Sequence, residues 1–121
     1  MFQVKLYKDA RGKQPIKEYL TELAYKSDKS SRIKLKKIDF YLEILRNYGT
    51  RAGEPYVKYI QDGIWELRPL SDRFFFFPWK DNIFILLHHI IKKTKKTPPH
   101  EIDVAKRIRD DFLKRSKDDG N

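Results

Sequence analysis

Polar and apolar residues alternate through Gln3-Val4-Lys5-Leu6-Tyr7, which predicts a first strand. Asp9 to Gln14 breaks the pattern as a turn. Pro15 then suits the opening turn of a helix, where its missing N–H costs nothing. Ile16, Tyr19, Leu20 and Leu23 share one helical face, so the first helix is expected over about Pro15 to Lys26. Ser27 to Ser31 is a polar break rich in N-cap residues. A second helix follows with Leu35, Ile38, Leu42 and Leu45 on one face and Arg32, Lys36, Lys37 and Arg46 on the other. It should stop near Tyr48-Gly49, because glycine readily ends a helix. The two helices are expected to form an antiparallel hairpin.

The second half changes period. Tyr56 to Ile60 reads as a strand, and Gln61-Asp62-Gly63 as the turn of a hairpin. Strands are expected again over Ile64 to Arg68, Arg73 to Lys80, and Ile83 to about Lys93, joined by Pro69-Leu70-Ser71-Asp72 and Asp81-Asn82. Connections this short join antiparallel neighbours, so the four form a meander. Trp65, Leu67, Phe74 to Phe77 and Trp79 are expected in a core covered on both faces of the sheet. Thr97 is predicted to cap a last helix starting at Pro98, with Ile102, Ala105, Ile108 and Phe112 as its buried stripe. Arg107, Lys114 and Arg115 are assigned to its exposed side. Residues 117–121 should fray. The order β-α-α-β-β-β-β-α makes a single α+β domain over residues 1–121.

Composition narrows the function. The 121 residues carry 27 Lys+Arg against 17 Asp+Glu, a net charge of +10. Such a chain attracts polyanions: RNA, DNA, ribosomes or an acidic protein. With no cysteine, disulfides, thiolate zinc sites and thiol nucleophiles are excluded. The longest apolar run, Ile83 to Leu87, is far short of the roughly 20 residues that span a bilayer. With no signal-peptide pattern at its start, the protein is expected to be soluble and cytoplasmic, without membrane contact.

The run YVKYIQDGIWELRPLSDRFFFFPWKDNIFILLHHIIKKTKKTPPHEIDVAKRI resembles the phage-derived, HigB-like branch of the RelE/ParE toxin superfamily. The resemblance extends from Phe2 to about Phe112. It is most specific in WELR, the following arginine and HHIIKKTKKTP. It implies two N-terminal helices, a twisted antiparallel sheet and a C-terminal helix. It also implies the toxin of a type II toxin–antitoxin pair, a ribosome-dependent mRNA endoribonuclease. The family reaction uses no metal, and no cofactor is expected. The ribose 2′-OH attacks the adjacent phosphate, leaving a 2′,3′-cyclic phosphate and a 5′-OH. The implied partners are a helix-turn-helix antitoxin, the ribosome and mRNA, with the free toxin a monomer.

That chemistry needs a base for the 2′-OH, cations for the phosphorane and a proton for the leaving oxygen. Arg68 and Arg73 flank one turn, and a guanidinium can grip two phosphate oxygens. Side chains alternate along a strand, so Glu66 shares a face with Arg68. The other reading of the arginines is a surface pair, Arg68 with Glu66 or Arg73 with Asp72. In the family the second arginine often serves antitoxin binding or structure. By resemblance, Lys93 and Lys95 are the candidates for proton transfer or leaving-group stabilisation. Lys58, Lys92, Lys96 and His89 are candidate RNA contacts. The lysine run also reads as a solvated grip on phosphates. His88 and His89 face opposite sides of their strand, and either is an acid–base candidate or a packed strand histidine. Tyr59 either stacks on a base or packs. His100 reads as structural or surface. The basic faces of the second and last helices are candidate contacts for ribosomal RNA or an acidic antitoxin. The C-terminal His or Tyr of some relatives has no counterpart in KRSKDDGN, which leaves the base open. Two other classes remain: a ParE-like inhibitor of DNA gyrase and a binding module without toxicity.

Overall fold

The computed structural model describes residues 1–118. Its elements are β1 (Gln3–Leu6), α1 (Pro15–Tyr25), α2 (Lys29–Tyr48), a 3-10 turn (Gly49–Ala52), β2 (Val57–Gln61), β3 (Ile64–Leu67), β4 (Asp72–Pro78), β5 (Ile83–Ile91) and α3 (Pro99–Asp118). The architecture is α+β, in the expected order. Helix α3 includes Lys117 and Asp118, the first two residues expected to fray, and 119–121 lie outside the described residues.

Local chemistry explains most boundaries. Asp28 caps α2, its carboxylate accepting from Ser31 N at 3.0 Å, which satisfies a donor the helix leaves free. Gly49 ends α2 at φ +62, and a Cβ there would lie 2.7 Å from the Phe2 ring. Both its conformation and its closeness to β1 therefore require glycine. Asp62-Gly63 and Asp81-Asn82 each place two consecutive residues at positive φ, the conformation that matches the twist of a tight hairpin.

The sheet order is β1-β5-β4-β3-β2. The meander is antiparallel as expected, but β1 runs parallel to β5, Gln3 opposite Ile83 and Leu6 opposite Leu86. The sheet is therefore mixed rather than antiparallel throughout. Short turns fix the direction of β2 to β5, whereas β1 returns through two helices and is free of that constraint.

Helices cover both faces. Phe74, Phe76, Leu67, Phe84 and Leu86 pack with Ile38, Leu42 and Leu45 of α2 and Ile16 and Leu23 of α1. Phe75, Phe77, Ile64, Ile85 and Leu87 pack with Ile102 and Ala105 of α3. Burial of each such side chain is worth about 1.5–3 kcal/mol, so the Phe74–Phe77 run ties both layers to one strand. Farther along α3, Asp111 accepts from Tyr7 OH at 2.5 Å and from Arg115 Nε at 3.0 Å. Arg115 also donates to Lys8 O at 2.6 Å. Arg115 thus ties α3 to the end of β1 rather than serving as a free surface charge. Among the described residues, no helix is long and apolar enough to cross a membrane.

One buried polar cluster joins sheet and helices. Asp72, at the start of β4, is fully buried. Its Oδ1 meets Tyr19 OH of α1 and His89 Nε2 of β5, both at 2.7 Å. Lys34 Nζ of α2 lies 3.6 Å from its Oδ2, and the His89 ring stacks on Tyr19 at 4.0 Å. Burial alone would raise the Asp72 pKa. The hydrogen bonds from His89 and Tyr19 and the charge of Lys34 outweigh it and hold the carboxyl below its usual range. A carboxyl lowered on folding stabilises the fold above its unfolded pKa of about 3.9 and loses that contribution as pH falls through the lower folded value. Chemical denaturation of the wild type should therefore show stability falling below about pH 4, and Asp72→Asn should flatten part of that acid limb. Asp72→Ala, which strands Tyr19, His89 and Lys34, should cost about 3 kcal/mol at pH 7.

Candidate functional site

The turn between β3 and β4 assembles the site. Alternation puts Glu66 and Arg68 on the α3 side of the sheet, opposite Leu67. Lys58 pairs with Glu66 across β2 and β3, and Arg68 N donates to Tyr56 O at 2.9 Å, extending that ladder past β3. Arg73 pairs with Ile90 of β5, and Lys92 N donates to Ser71 O at 2.8 Å. Lys58, Arg68, Arg73 and Lys92 are thus brought together at one end of the sheet, beyond the edge of the α3 core.

Glu66 lies beneath them, with 0% of its surface exposed. Its Oε2 accepts from Thr97 Oγ1 at 2.6 Å. Its Oε1 lies 3.5 Å from Arg68 Nε and 3.8 Å from Arg73 Nε. None of these three buried atoms has a hydrogen-bond partner. The attraction is ionic, and its geometry is slack. This is not the surface pair considered from sequence, because the carboxylate has lost its water and depends on both guanidiniums. Nor does Arg73 pair with the Asp72 carboxylate: its Nη1 donates to the carbonyls of Leu70 at 2.7 Å and Asp72 at 2.9 Å. Thr97 is drawn to Glu66, and α3 begins at Pro99, two residues beyond Thr97 and one beyond the expected start.

One carboxylate cannot neutralise four cations. Burial and then the charge of Arg68 lower the Arg73 pKa, opposed by Glu66 and Asp72. Burial lowers the Lys92 pKa too, reinforced by Arg73, Arg68 and Lys58 and opposed by Glu66. Such a surplus of positive charge, partly shielded from water at Arg73 and Lys92, suits an incoming anion. A second carboxylate, Glu54, reaches in from the loop before β2. It is exposed, and its Oε1 accepts from Arg68 Nη1 at 2.9 Å. Sequence spacing gave no sign of it, since it lies 14 residues from Arg68 on another segment.

The remaining candidates separate. Lys93 and Lys95 are exposed and line a shallow depression with Arg73, Lys92, Leu70 and Ser71. Lys96 is exposed on the same loop, its carbonyl accepting from Thr94 Oγ1. His89 does not meet the arginines, because it faces α1 and bonds Asp72. His88 faces α3 and meets Glu101 Oε1 at 2.9 Å. Tyr59 is half exposed, its hydroxyl accepting from Gly63 N. His100 is exposed at the start of α3. Among the described residues, no cluster of three or more His, Asp or Glu has the form of a metal site.

Glu66→Ala should destabilise the protein by about 3 kcal/mol, because it leaves two partly buried guanidiniums facing each other. Arg68→Ala should cost less, about 1–2 kcal/mol, since Arg73 and Thr97 still face Glu66 and Arg68 is itself partly exposed. Urea unfolding of the two variants at neutral pH checks the difference.

A comparison with curated proteins returns no match. Residues 25–110, well over half of the chain, match the family model described as phage derived protein Gp49-like (DUF891). On that match the chain belongs to the Gp49-like family of phage-derived proteins, a RelE/toxin-like family.

Proposed function

We propose that this protein is the toxin of a type II toxin–antitoxin pair and acts as a ribosome-dependent endoribonuclease on mRNA. The observation that carries the reading is the group of Arg68, Arg73 and Lys92 above the buried Glu66, with Glu54 against Arg68. Arg68 and Arg73 hold the scissile phosphate and meet the charge that builds on its oxygens during in-line attack. Both are anchored before substrate arrives, so little reorganisation is required at the moment of reaction.

Glu54 fills the role that the sequence left open. It is an exposed carboxylate in contact with Arg68, and it takes the 2′-OH proton as the oxygen attacks phosphorus. The bond to the 5′-oxygen then breaks, leaving a 2′,3′-cyclic phosphate. Lys92 protonates the departing oxygen. Its lowered pKa makes it a stronger acid than an ordinary lysine. Lys93 and Lys95, exposed on the loop beyond it, hold flanking phosphates with Lys58 and Lys96. His89 has no part in this scheme. The antitoxin is the expected protein partner, attracted by the basic surface.

Cleavage in a purified translation system, with fragment ends mapped by primer extension, tests the reading. Cuts within codons are expected only on translated message. Arg68→Ala should remain folded and lose about 10²–10³-fold in rate, and Glu54→Gln about 10²-fold. An intact message would overturn the proposal and favour the gyrase-inhibitor class.

The pH profile supplies a second check. The rate should fall as pH rises through the lowered Lys92 pKa, because the acid loses its proton. That alkaline limb should begin below the ordinary lysine value of about 10.4, and Lys92→Arg should remove it while lowering the plateau.

A further inference from the structure

Leu70 lies between β3 and β4 at φ +55, a left-handed conformation that Gly and Asn adopt more easily than leucine. The backbone geometry has a clear use, since the Leu70 carbonyl accepts from Arg73 Nη1 at 2.7 Å. The side chain has no such role in the fold. It is 51% exposed and belongs to neither core. An asparagine would provide the same carbonyl with less strain and without exposing an aliphatic group.

Its position gives the side chain a use. Leu70 and Ser71 line the depression that holds Arg73, Lys92, Lys93 and Lys95. The same two residues line a second hollow with Lys29, Ser30, Ile33 and Lys34 of α2. Ile33 is 50% exposed. Lys34 is turned inward toward Asp72, whereas Lys29 is exposed. A continuous surface therefore runs from the arginines over an aliphatic ridge to a further cation. Single-stranded RNA alternates phosphate charge with flat, weakly hydrated bases, and sites for it combine cations with aromatic or apolar side chains against which a base packs.

We infer that Leu70 and Ile33 form a seat for the nucleobase beside the cleaved bond, with Lys29 receiving the next phosphate. This subsite rests on the endoribonuclease reading and extends it to the chemistry of the flanking nucleotide. The strand lies across the β3–β4 turn, so the residue that orients Arg73 through its carbonyl also touches the substrate through its side chain.

Fluorescence anisotropy tests this with two probes at low salt. One is a labelled single-stranded RNA made uncleavable by 2′-deoxy substitution at the scissile position. The other is an abasic oligonucleotide of equal length and charge. Leu70→Asn preserves the left-handed turn and should melt at or above the wild-type temperature. It should bind the RNA about fivefold more weakly and the abasic probe as the wild type does. Ile33→Ala should show the same split. Wild-type RNA affinity in both variants, alongside weakened binding by Arg68→Ala, would overturn the subsite while leaving the groove reading in place. That result would make the ridge a surface for a protein partner. If Arg68→Ala also binds RNA like the wild type, the groove reading fails and the subsite falls with it.

Discussion

A carboxylate removed from water must be surrounded by donors or cations, and among the described residues two are so placed, on opposite faces of one hairpin. Glu66 is buried on the α3 side and Asp72 on the α1–α2 side. Six residues apart, they stand at the two ends of the β3–β4 turn, with Arg68 between them and Arg73 directly after Asp72. Asp72 holds the start of β4 to α1, α2 and β5. Glu66 brings the segment before α3 to the sheet through Thr97. Each face of the turn is thereby fixed by a charge that would be costly to expose unpaired in the interior. The arginines inherit that rigidity.

The two sites differ in what surrounds the oxygen each leaves without a hydrogen bond. Asp72 receives two short hydrogen bonds on Oδ1, and its unbonded Oδ2 lies 3.6 Å from Lys34 Nζ, whereas Glu66 receives one on Oε2 and its unbonded Oε1 faces two arginine Nε atoms that are themselves without partners. A fully bonded Arg–Glu–Arg triad would have its charge quenched and its forks occupied. The looser arrangement keeps the guanidiniums in place and leaves their attraction for a second anion largely intact. Electrostatic preorganisation requires that combination: charges fixed in position but incompletely neutralised.

The sequence revealed elements wherever a local rule governs them. The helical stripes of α1, α2 and α3 and the Asp-Gly hairpin rest on periodicity and turn chemistry. The Phe74–Phe77 run divides between two cores because adjacent strand residues face opposite sides. Arg68 and Arg73 could be placed together because one short turn separates them. Features set by tertiary packing were less visible. The parallel pairing of β1 depends on a path through two helices. Thr97 has the composition of a cap, yet a buried carboxylate draws its hydroxyl away. His89 could be assigned to a face opposite His88, but the face that met the arginines depended on a bulge at Phe75/Phe76 and on the position of Asp72. Glu54 carries no local signature, since only folding brings its loop against Arg68.

The parallel pairing of β1 also imposes an order on assembly. Gln3 pairs with Ile83, a sequence separation of roughly eighty residues and the kind of contact that slows folding. During synthesis β1 emerges first but has no strand partner until β5 leaves the ribosome. Lys92 lies just beyond that strand. A nascent chain therefore cannot carry a complete groove until translation has passed Lys92, so β1, both helices and the whole meander are made before the site exists.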